Sequence, residues 1–193
     1  GNGVLDGGAG DDNIDVLAPA QFIIGGTGDD FVYVGDVDSV IAFNPGDGTD
    51  TIYAAQAFTL SIGGGIGVAD LTLSIDDESD DLILAVGDAD SIRLTRQFEV
   101  DPQAWPTITL QLFGSAHLYD FTAAIAALYD SGDATLALGD VLPALEFDFS
   151  ESAGLGGALA NEYRLHGSLD GLTHAQIRAV FNDGDFGTAL QSF

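Results

Sequence analysis

The chain reads as a mainly β protein. It should contain a coil of stacked rungs over residues 1–60, an antiparallel strand module over 61–100 and a small α+β region over 101–193. Three observations predict this. Large aliphatic residues recur at every ninth position, at Leu5, Ile14, Ile23, Val32 and Ile41. Two glycine–aspartate turns, Gly7-Gly8-Ala9-Gly10-Asp11-Asp12 and Gly25-Gly26-Thr27-Gly28-Asp29-Asp30, keep step with that rhythm. Beyond residue 70, apolar and polar residues alternate in short runs separated by acidic turns. A fixed short period implies rungs that stack, because no single nonapeptide can bury its own apolar residue.

The first element is the coil. Its sixth repeat position is occupied in turn by Gly3, Asp12, Gln21, Asp30 and Ser39. A two-residue insertion at Phe43-Asn44 interrupts the beat, and Pro45–Tyr53 restores it with Asp50 and Ile52. Aspartate therefore falls on alternate repeats. Ordinary hairpin loops also use Gly-Gly and Asp-Gly, but they do not explain matching turns set on a nine-residue period.

Both complete turns fit Gly-Gly-x-Gly-x-Asp-x-aliphatic-x, with Ile14 and Val32 as the aliphatics. In this pattern residues 1–60 resemble the repeats-in-toxin (RTX) family of secreted bacterial proteins, whose nonapeptides bind calcium. The resemblance implies a parallel β-roll in which two nonapeptides make one turn, so that residues about 18 apart lie above one another. Asp12, Asp30 and Asp50 would then share one edge, and Gly3, Gln21 and Ser39 the opposite edge. It implies at least two Ca2+ ions, one in the gap between the Asp12 and Asp30 turns and one between the Asp30 and Asp50 turns. The expected ligand-bearing residues are Gly8, Gly10, Asp12, Gly25, Gly26, Thr27, Gly28, Asp30, Gly46, Asp47, Gly48 and Asp50. Asp11 and Asp29, like Asp47, either add ligands or only add field. Asp36 and Asp38, on the other edge, read as a solvated turn, with an irregular ion site as the alternative.

The spacing has a chemical reason. Adjacent strands lie about 4.8 Å apart, and stacked carboxylates at that distance repel by about 3 kcal/mol at an effective dielectric near 20. A hard divalent cation between them reverses the sign. Glycine lets the turn take positive φ and brings carbonyl oxygens within the roughly 2.3–2.6 Å that calcium requires.

Composition points the same way. The 193 residues carry 31 acids against four Lys plus Arg, a formal net charge of −27. The first cation in the chain is Arg93. Phosphate binding needs a basic footprint, so nucleic acid is excluded as a partner, and an anionic membrane surface is equally unsuited. At 46% hydrophobic residues the chain can build a core, yet its self-repulsion opposes compaction. Divalent cations would resolve that conflict; the alternative is a merely soluble acidic surface. Cys is absent, which removes disulfides, thiolate zinc sites and a cysteine nucleophile. No stretch of about 18 apolar residues is present, so no membrane span is expected. The lack of Met and the start at Gly1 point to a piece of a longer chain.

After the coil, Asp70–Ile75, Leu82–Val86 and Ser91–Thr95 read as an antiparallel meander. The run 70–98 resembles the module that follows the repeats in RTX exoproteins, where it would cover the last rung. Arg93 and Arg96 should pair with nearby acids. Asp76–Asp81 is no EF-hand loop, since Asp81 stands where that loop needs Gly and Gly87 where it needs Glu. Gly63–Gly67 is no nucleotide cradle.

Thr107–Phe113 is a further strand candidate. Phe121–Asp130 reads as a helix with Phe121, Ile125 and Leu128 on one face and Gly132 just beyond. Ser150–Leu165 reads as a helix capped by Ser150 and stopped by Gly167, with Gly154, Gly156 and Gly157 weakening it, and Thr173–Gln176 as a capping box opening a short helix that ends before Gly184. His117, His166 and His174 lack metal-ligand spacing and read as structural. Trp105, between two prolines, reads as a packed loop anchor, with a ligand platform as the alternative.

The sequence displays no nucleophile motif and no Ser, His and acid constellation, so no enzyme is expected. What the resemblance implies is a non-catalytic calcium-binding module, extracellular and secreted by Gram-negative type I export. It would fold on calcium outside the cell and support secretion and folding of a larger exoprotein. Its partners would be calcium, the upstream domain of that protein and the type I secretion machinery, and 186–193 has the small apolar texture of a C-terminal signal. The alternative is a calcium-stabilised adhesin or ligand-binding module that recognises a host or surface ligand through residues 99–193, around Trp105, Tyr119 or Tyr163.

Overall fold

A computed structural model describes residues 3–95, 105–112, 117–147, 153–154, 156–182 and 191–192. The protein is mainly β, built on two mixed seven-stranded sheets that do not close. Successive strands of the repeat region alternate between them. Strands β1 (Gly3–Ala9), β3 (Gln21–Thr27), β5 (Ser39–Phe43) and β7 (Phe58–Ile62) run parallel in the first sheet. Strands β2 (Asn13–Val16), β4 (Phe31–Val34) and β6 (Thr49–Ala54) run parallel in the second.

The nine-residue beat becomes two aliphatic files facing each other. Leu5 registers with Ile23, Ile23 with Ile41 and Ile41 with Leu60 across the first sheet. Ile14, Val32 and Ile52 register across the second. Beyond Leu5 these residues are almost wholly enclosed, and the two files form one continuous core. The Phe43-Asn44 insertion appears as a change of register, from 18 residues between β2 and β4 (Ile14 to Val32) to 20 between β4 and β6 (Val32 to Ile52).

The expected meander is present as β8 (Leu71–Ile75), β9 (Leu82–Val86) and β10 (Asp90–Thr95), antiparallel in sequence order. β10 lies parallel to β6, so the meander extends the second sheet and fills the edge that the repeats leave open. Arg93 pairs with Asp76 at 3.1 Å and with Asp81 at 3.0 Å. Backbone N–H donors from Glu78 and Ser79, together with that guanidinium, hold the Asp76 carboxyl down at about 2. Arg96 lies outside the described residues.

β11 (Ile108–Leu112) continues the first sheet parallel to β7, followed by the antiparallel β12 (His117–Asp120). Helix α1 (Phe121–Ser131) is capped by the Asp120 carboxylate on the Ala123 N–H and ends at Gly132 in the left-handed region. Its buried face, Phe121, Ala124, Ile125 and Leu128, plugs the core. Two short strands, β13 (Thr135–Ala137) and β14 (Glu146–Phe147), flank β8 and β12 respectively.

One expected helix is shorter than its sequence suggested. Instead of spanning 150–165, α2 covers Gly157–His166, entered from Gly156 at φ +81°. Gly156 and Gly157, at φ +81° and +49°, delay the start, because positive-φ backbone cannot propagate a right-handed helix; Ser150 lies outside the described residues. α3 (His174–Asn182) opens on the expected capping box, with Thr173 N–H on Gln176 Oε1 and Gln176 N–H on Thr173 Oγ1.

Helices α2 and α3 cover the outer face of the first sheet. Leu159, Ala160 and Tyr163 pack on Phe22, Ile24, Val40 and Ala42, with Ile177, Val180 and Phe181 behind. β3 and β5 are consequently buried on both faces, and β7 is buried at every residue, whereas β2, β4 and β6 bury alternate residues.

Candidate functional site

The turns from β1 to β2, β3 to β4 and β5 to β6 lie at the same end of the two sheets. Each contains two glycines of positive φ: Gly8 and Gly10, Gly26 and Gly28, Gly46 and Gly48, at +95° to +142°. Glycine is required there twice over. L-residues resist that backbone, and a Cβ on Gly26, Gly28 or Gly48 would overlap the carbonyl oxygen of Gly8, Gly10 or Gly28 respectively. The gaps between successive turns are thus lined by backbone oxygens. Backbone bonds tie the turns together, Gly10 N–H to Thr27 O at 2.7 Å and Gly28 N–H to Asp47 O at 2.8 Å.

Asp12, Asp30 and Asp50 form a file along this edge. Asp12 N–H donates to Asp30 Oδ1 at 2.8 Å, and Asp30 N–H donates to Asp50 Oδ1 at 3.1 Å. Asp30 is 2% exposed and Asp50 6%. The other oxygen of Asp30, Oδ2, is buried and has no hydrogen-bond partner. It lies against the bare Cα of Gly25, where a Cβ would collide with it. An enclosed acceptor left without a donor costs about 1–3 kcal/mol, and more for a charged one.

The electrostatics follow. Burial raises the Asp30 carboxyl above its ordinary range, and the neighbouring Asp12, Asp11 and Asp29 push the same way against the Asp12 N–H. Burial drives Asp50 to about 7, with the Asp30 N–H opposing and the charges of Asp30, Asp47 and Asp29 adding. Asp11 and Asp29 form a second, exposed file: Asp29 N–H donates to Asp11 Oδ1 at 3.0 Å, and Thr49 N–H to Asp29 Oδ1 at 3.1 Å.

Asp47 differs from both files. Its Oδ2 accepts from Asn44 N–H at 2.7 Å and from the Tyr163 hydroxyl at 2.9 Å, while Asn44 Nδ2 donates to the Tyr163 carbonyl at 2.7 Å. Burial outweighs those donors and raises Asp47 to about 6. Beyond the third turn, Asp90 at the head of β10 accepts from Gly46 N–H at 3.0 Å and Gly48 N–H at 3.2 Å. Sequence reasoning missed Asp90, and it named Tyr163 only as part of a possible ligand surface, not as a partner of Asp47. For Asp90 a signal existed, since it is the acid that immediately precedes a strand; for Tyr163 there was none.

The expected residues therefore gather on one edge. Gly8, Gly10 and Asp12, Gly25, Gly26, Gly28 and Asp30, and Gly46, Gly48 and Asp50 occupy three successive turns. Thr27 is exposed and contributes its carbonyl to Gly10. Gly3, Gln21 and Ser39 lie at the opposite end, Gly3 registered with Gln21 and Gln21 N–H directed at Ser39 Oγ. At that end Asp36 merely accepts from Val37 N–H, and Asp38 has φ +62°. Among the described residues, no three His, Cys, Asp or Glu side chains converge as a ready-made metal site.

His117 contacts Glu146, and His166 lies 4.0 Å from Glu162. Trp105, Tyr119 and Tyr163 are buried, at 8%, 2% and 3% exposure, so none of these rings offers itself as an open platform. No family model matches the chain, and no curated protein matches it either.

Proposed function

We propose that the chain is a non-catalytic calcium-binding module of the RTX type, its two alternating parallel sheets forming a β-roll. Ca2+ ions would bridge the Asp12, Asp30 and Asp50 turns along one edge. The observation that carries this reading is the enclosed, partnerless Oδ2 of Asp30, set in a file of carboxylates between turns lined by glycine carbonyls. Oxygen donors from carboxylate and backbone suit a hard divalent cation. Asp12, Asp30 and Asp50 would supply the side-chain oxygens, and Gly8, Gly10 and Gly28, whose carbonyls line the gaps, the backbone ones. Bound calcium would supply the positive charge that the chain lacks along this edge.

The consequence is conditional folding. Without cation, compaction must bury acids that repel one another; with it, binding free energy becomes folding free energy. Extracellular modules bind at about 10⁻⁴–10⁻³ M, far above cytosolic calcium. The chain would remain loose inside a cell and order outside it, as the accessory of a larger exoprotein exported by a type I system.

Calcium titration of chelated protein, followed by circular dichroism and calorimetry, tests this. A transition to β structure with at least two ions bound is expected. Identical spectra with EDTA and with millimolar calcium, and no heat of binding, would overturn it.

A further inference from the structure

The outer faces of the two sheets differ. That of the first sheet lies under α2 and α3. On the second, the outward residues of β2, β4 and β6 are exposed or only partly buried. Register sorts them into two rows that run on into β10. Asn13, Phe31, Thr51 and Arg93 make one row, and Asp15, Tyr33, Tyr53 and Thr95 the other. Phe31, Tyr33 and Tyr53 are therefore neighbours, three rings on one pleated surface with no aliphatic side chain among them.

These rings have defined places. Tyr33 and Tyr53 stand opposite each other across β4 and β6, with centroids 5.3 Å apart and planes tilted by 39°. A Cβ on Gly35 would stand 2.6 Å from Tyr33 Cε1, so the bare glycine leaves the room that the ring occupies. The Tyr53 hydroxyl is enclosed and has no hydrogen-bond partner. Tyr53 thus offers a ring and not a polar tip.

Acids rim the patch. Asp15 stands beside Tyr33 on the edge strand, Asp11 and Asp29 precede β2 and β4, and Asp36 follows β4. Arg93, the cation in the first row, is engaged by Asp76 and Asp81. An aromatic face attracts a cation seated over it. Guanidinium suits such a place best, because it is planar, weakly hydrated and able to bond a carboxylate while it stacks.

We propose that the outer face of β2, β4 and β6 is a docking surface for a basic segment of another protein, whose arginine side chains lie on Phe31, Tyr33 and Tyr53 and pair with Asp15. Charge complementarity selects this occupant. A second copy of the chain brings its own −27, and nucleic acid or an anionic lipid surface is repelled in the same way. A neutral sugar would stack on the rings without using the acids around them. The surface lies on a sheet face, apart from the Asp12, Asp30 and Asp50 file, and no ion enters it.

The test titrates the full chain, in millimolar calcium and physiological salt, with a peptide of alternating arginine and glycine. Its lysine counterpart and its citrulline counterpart, which keeps the shape and loses the charge, are the controls. Calorimetry reads affinity, and NMR reads the signals of Phe31, Tyr33, Tyr53 and Asp15. The arginine peptide should bind about threefold or more tighter than the lysine peptide, the citrulline peptide should not bind, and those four residues should move. Tyr33→Leu with Tyr53→Leu should weaken the arginine peptide about tenfold, whereas Tyr33→Phe with Tyr53→Phe should stay within about twofold, because the rings remain. Asp15→Asn, which leaves the rings in place, should weaken it severalfold. Equal binding of the arginine and lysine peptides, unmoved by the Leu pair and by Asp15→Asn, would overturn the proposal and leave only diffuse attraction to net charge. So would a neutral glucan oligomer that moves the ring signals while the arginine peptide does not, which would make the patch a sugar platform.

Discussion

The two edges of the paired sheets are made from the same nine-residue beat and do opposite things. On one edge, three turns rich in glycine and aspartate interlock through backbone bonds and bury carboxylates. On the other, Leu17–Ala20 and Gly35–Asp38 carry Pro19, Ala20 at φ +55° and Asp38 at φ +62°, leaving Leu17 71% exposed. There the turns are joined by ordinary bonds, Ala20 N–H to Val37 O and Gly35 N–H to Val16 O. The difference teaches that the period sets the stacking while the sixth position sets the chemistry. Aspartate there loads an edge with charge; Gly3, Gln21 and Ser39 leave the other edge neutral at that place.

The largest expected effect comes from removing calcium. Exhaustive chelation should abolish exchange protection at Asp12, Asp30 and their neighbours, and return of millimolar calcium should restore it. Next comes a reversal of sign at one residue. Asp30→Asn keeps an acceptor for the Asp12 N–H and removes the enclosed charge. In calcium it should cost roughly 2–4 kcal/mol and weaken both gaps, more than Asp12→Asn or Asp50→Asn. In EDTA it should be neutral or stabilising, because it relieves an orphaned acceptor. Equal losses at the three aspartates would break the shared edge into separate sites.

A smaller effect is expected from pH. Asp47 and Asp50 have folded-state pKa values raised to about 6 and about 7 from an unfolded value near 3.8. The folded chain therefore holds more protons than the unfolded one across that window, and stability falls as pH rises from about 4 to 7. Metal-free protein should be more stable to urea at pH 5 than at pH 7.5, by on the order of a few kcal/mol, and saturating calcium should flatten or invert the trend. Asp76 works the other way, its lowered pKa giving stability that disappears as pH falls toward 2. The smallest effect belongs to the opposite edge. Asp36→Asn with Asp38→Asn should shift the calcium midpoint less than twofold, and a larger shift would mean that both edges bind.

Much of this was legible in the sequence, for a physical reason. Periodicity reports stacking, and the resemblance to the repeats-in-toxin family added the turn of two nonapeptides that placed Asp12, Asp30 and Asp50 on one edge. The helix at 121–131 announced itself by its apolar face and Gly132. What stayed hidden was tertiary. The apolar runs Phe22-Ile23-Ile24 and Val40-Ile41-Ala42 carry the continuous hydrophobic pattern of strands covered on both faces, a signal left unread above, and nothing local said that α2 would be the cover. Asp90 was hidden because its partners, Gly46 and Gly48, lie more than forty residues away. The glycines at 154, 156 and 157 already weakened the helical pattern in the sequence, but only the backbone shows that the helix waits until Gly157 to begin.

The hydroxyl of Tyr163 reaches back 116 residues to Asp47. That single bond makes the third turn a place where two folding events must agree: the winding of the early strands and the seating of a helix encoded near the other end. By reciprocity, whatever steadies one steadies the other. Tyr163→Phe should therefore loosen the grip on metal at a turn it does not belong to, while ions added at that turn should tighten a helix that they never touch.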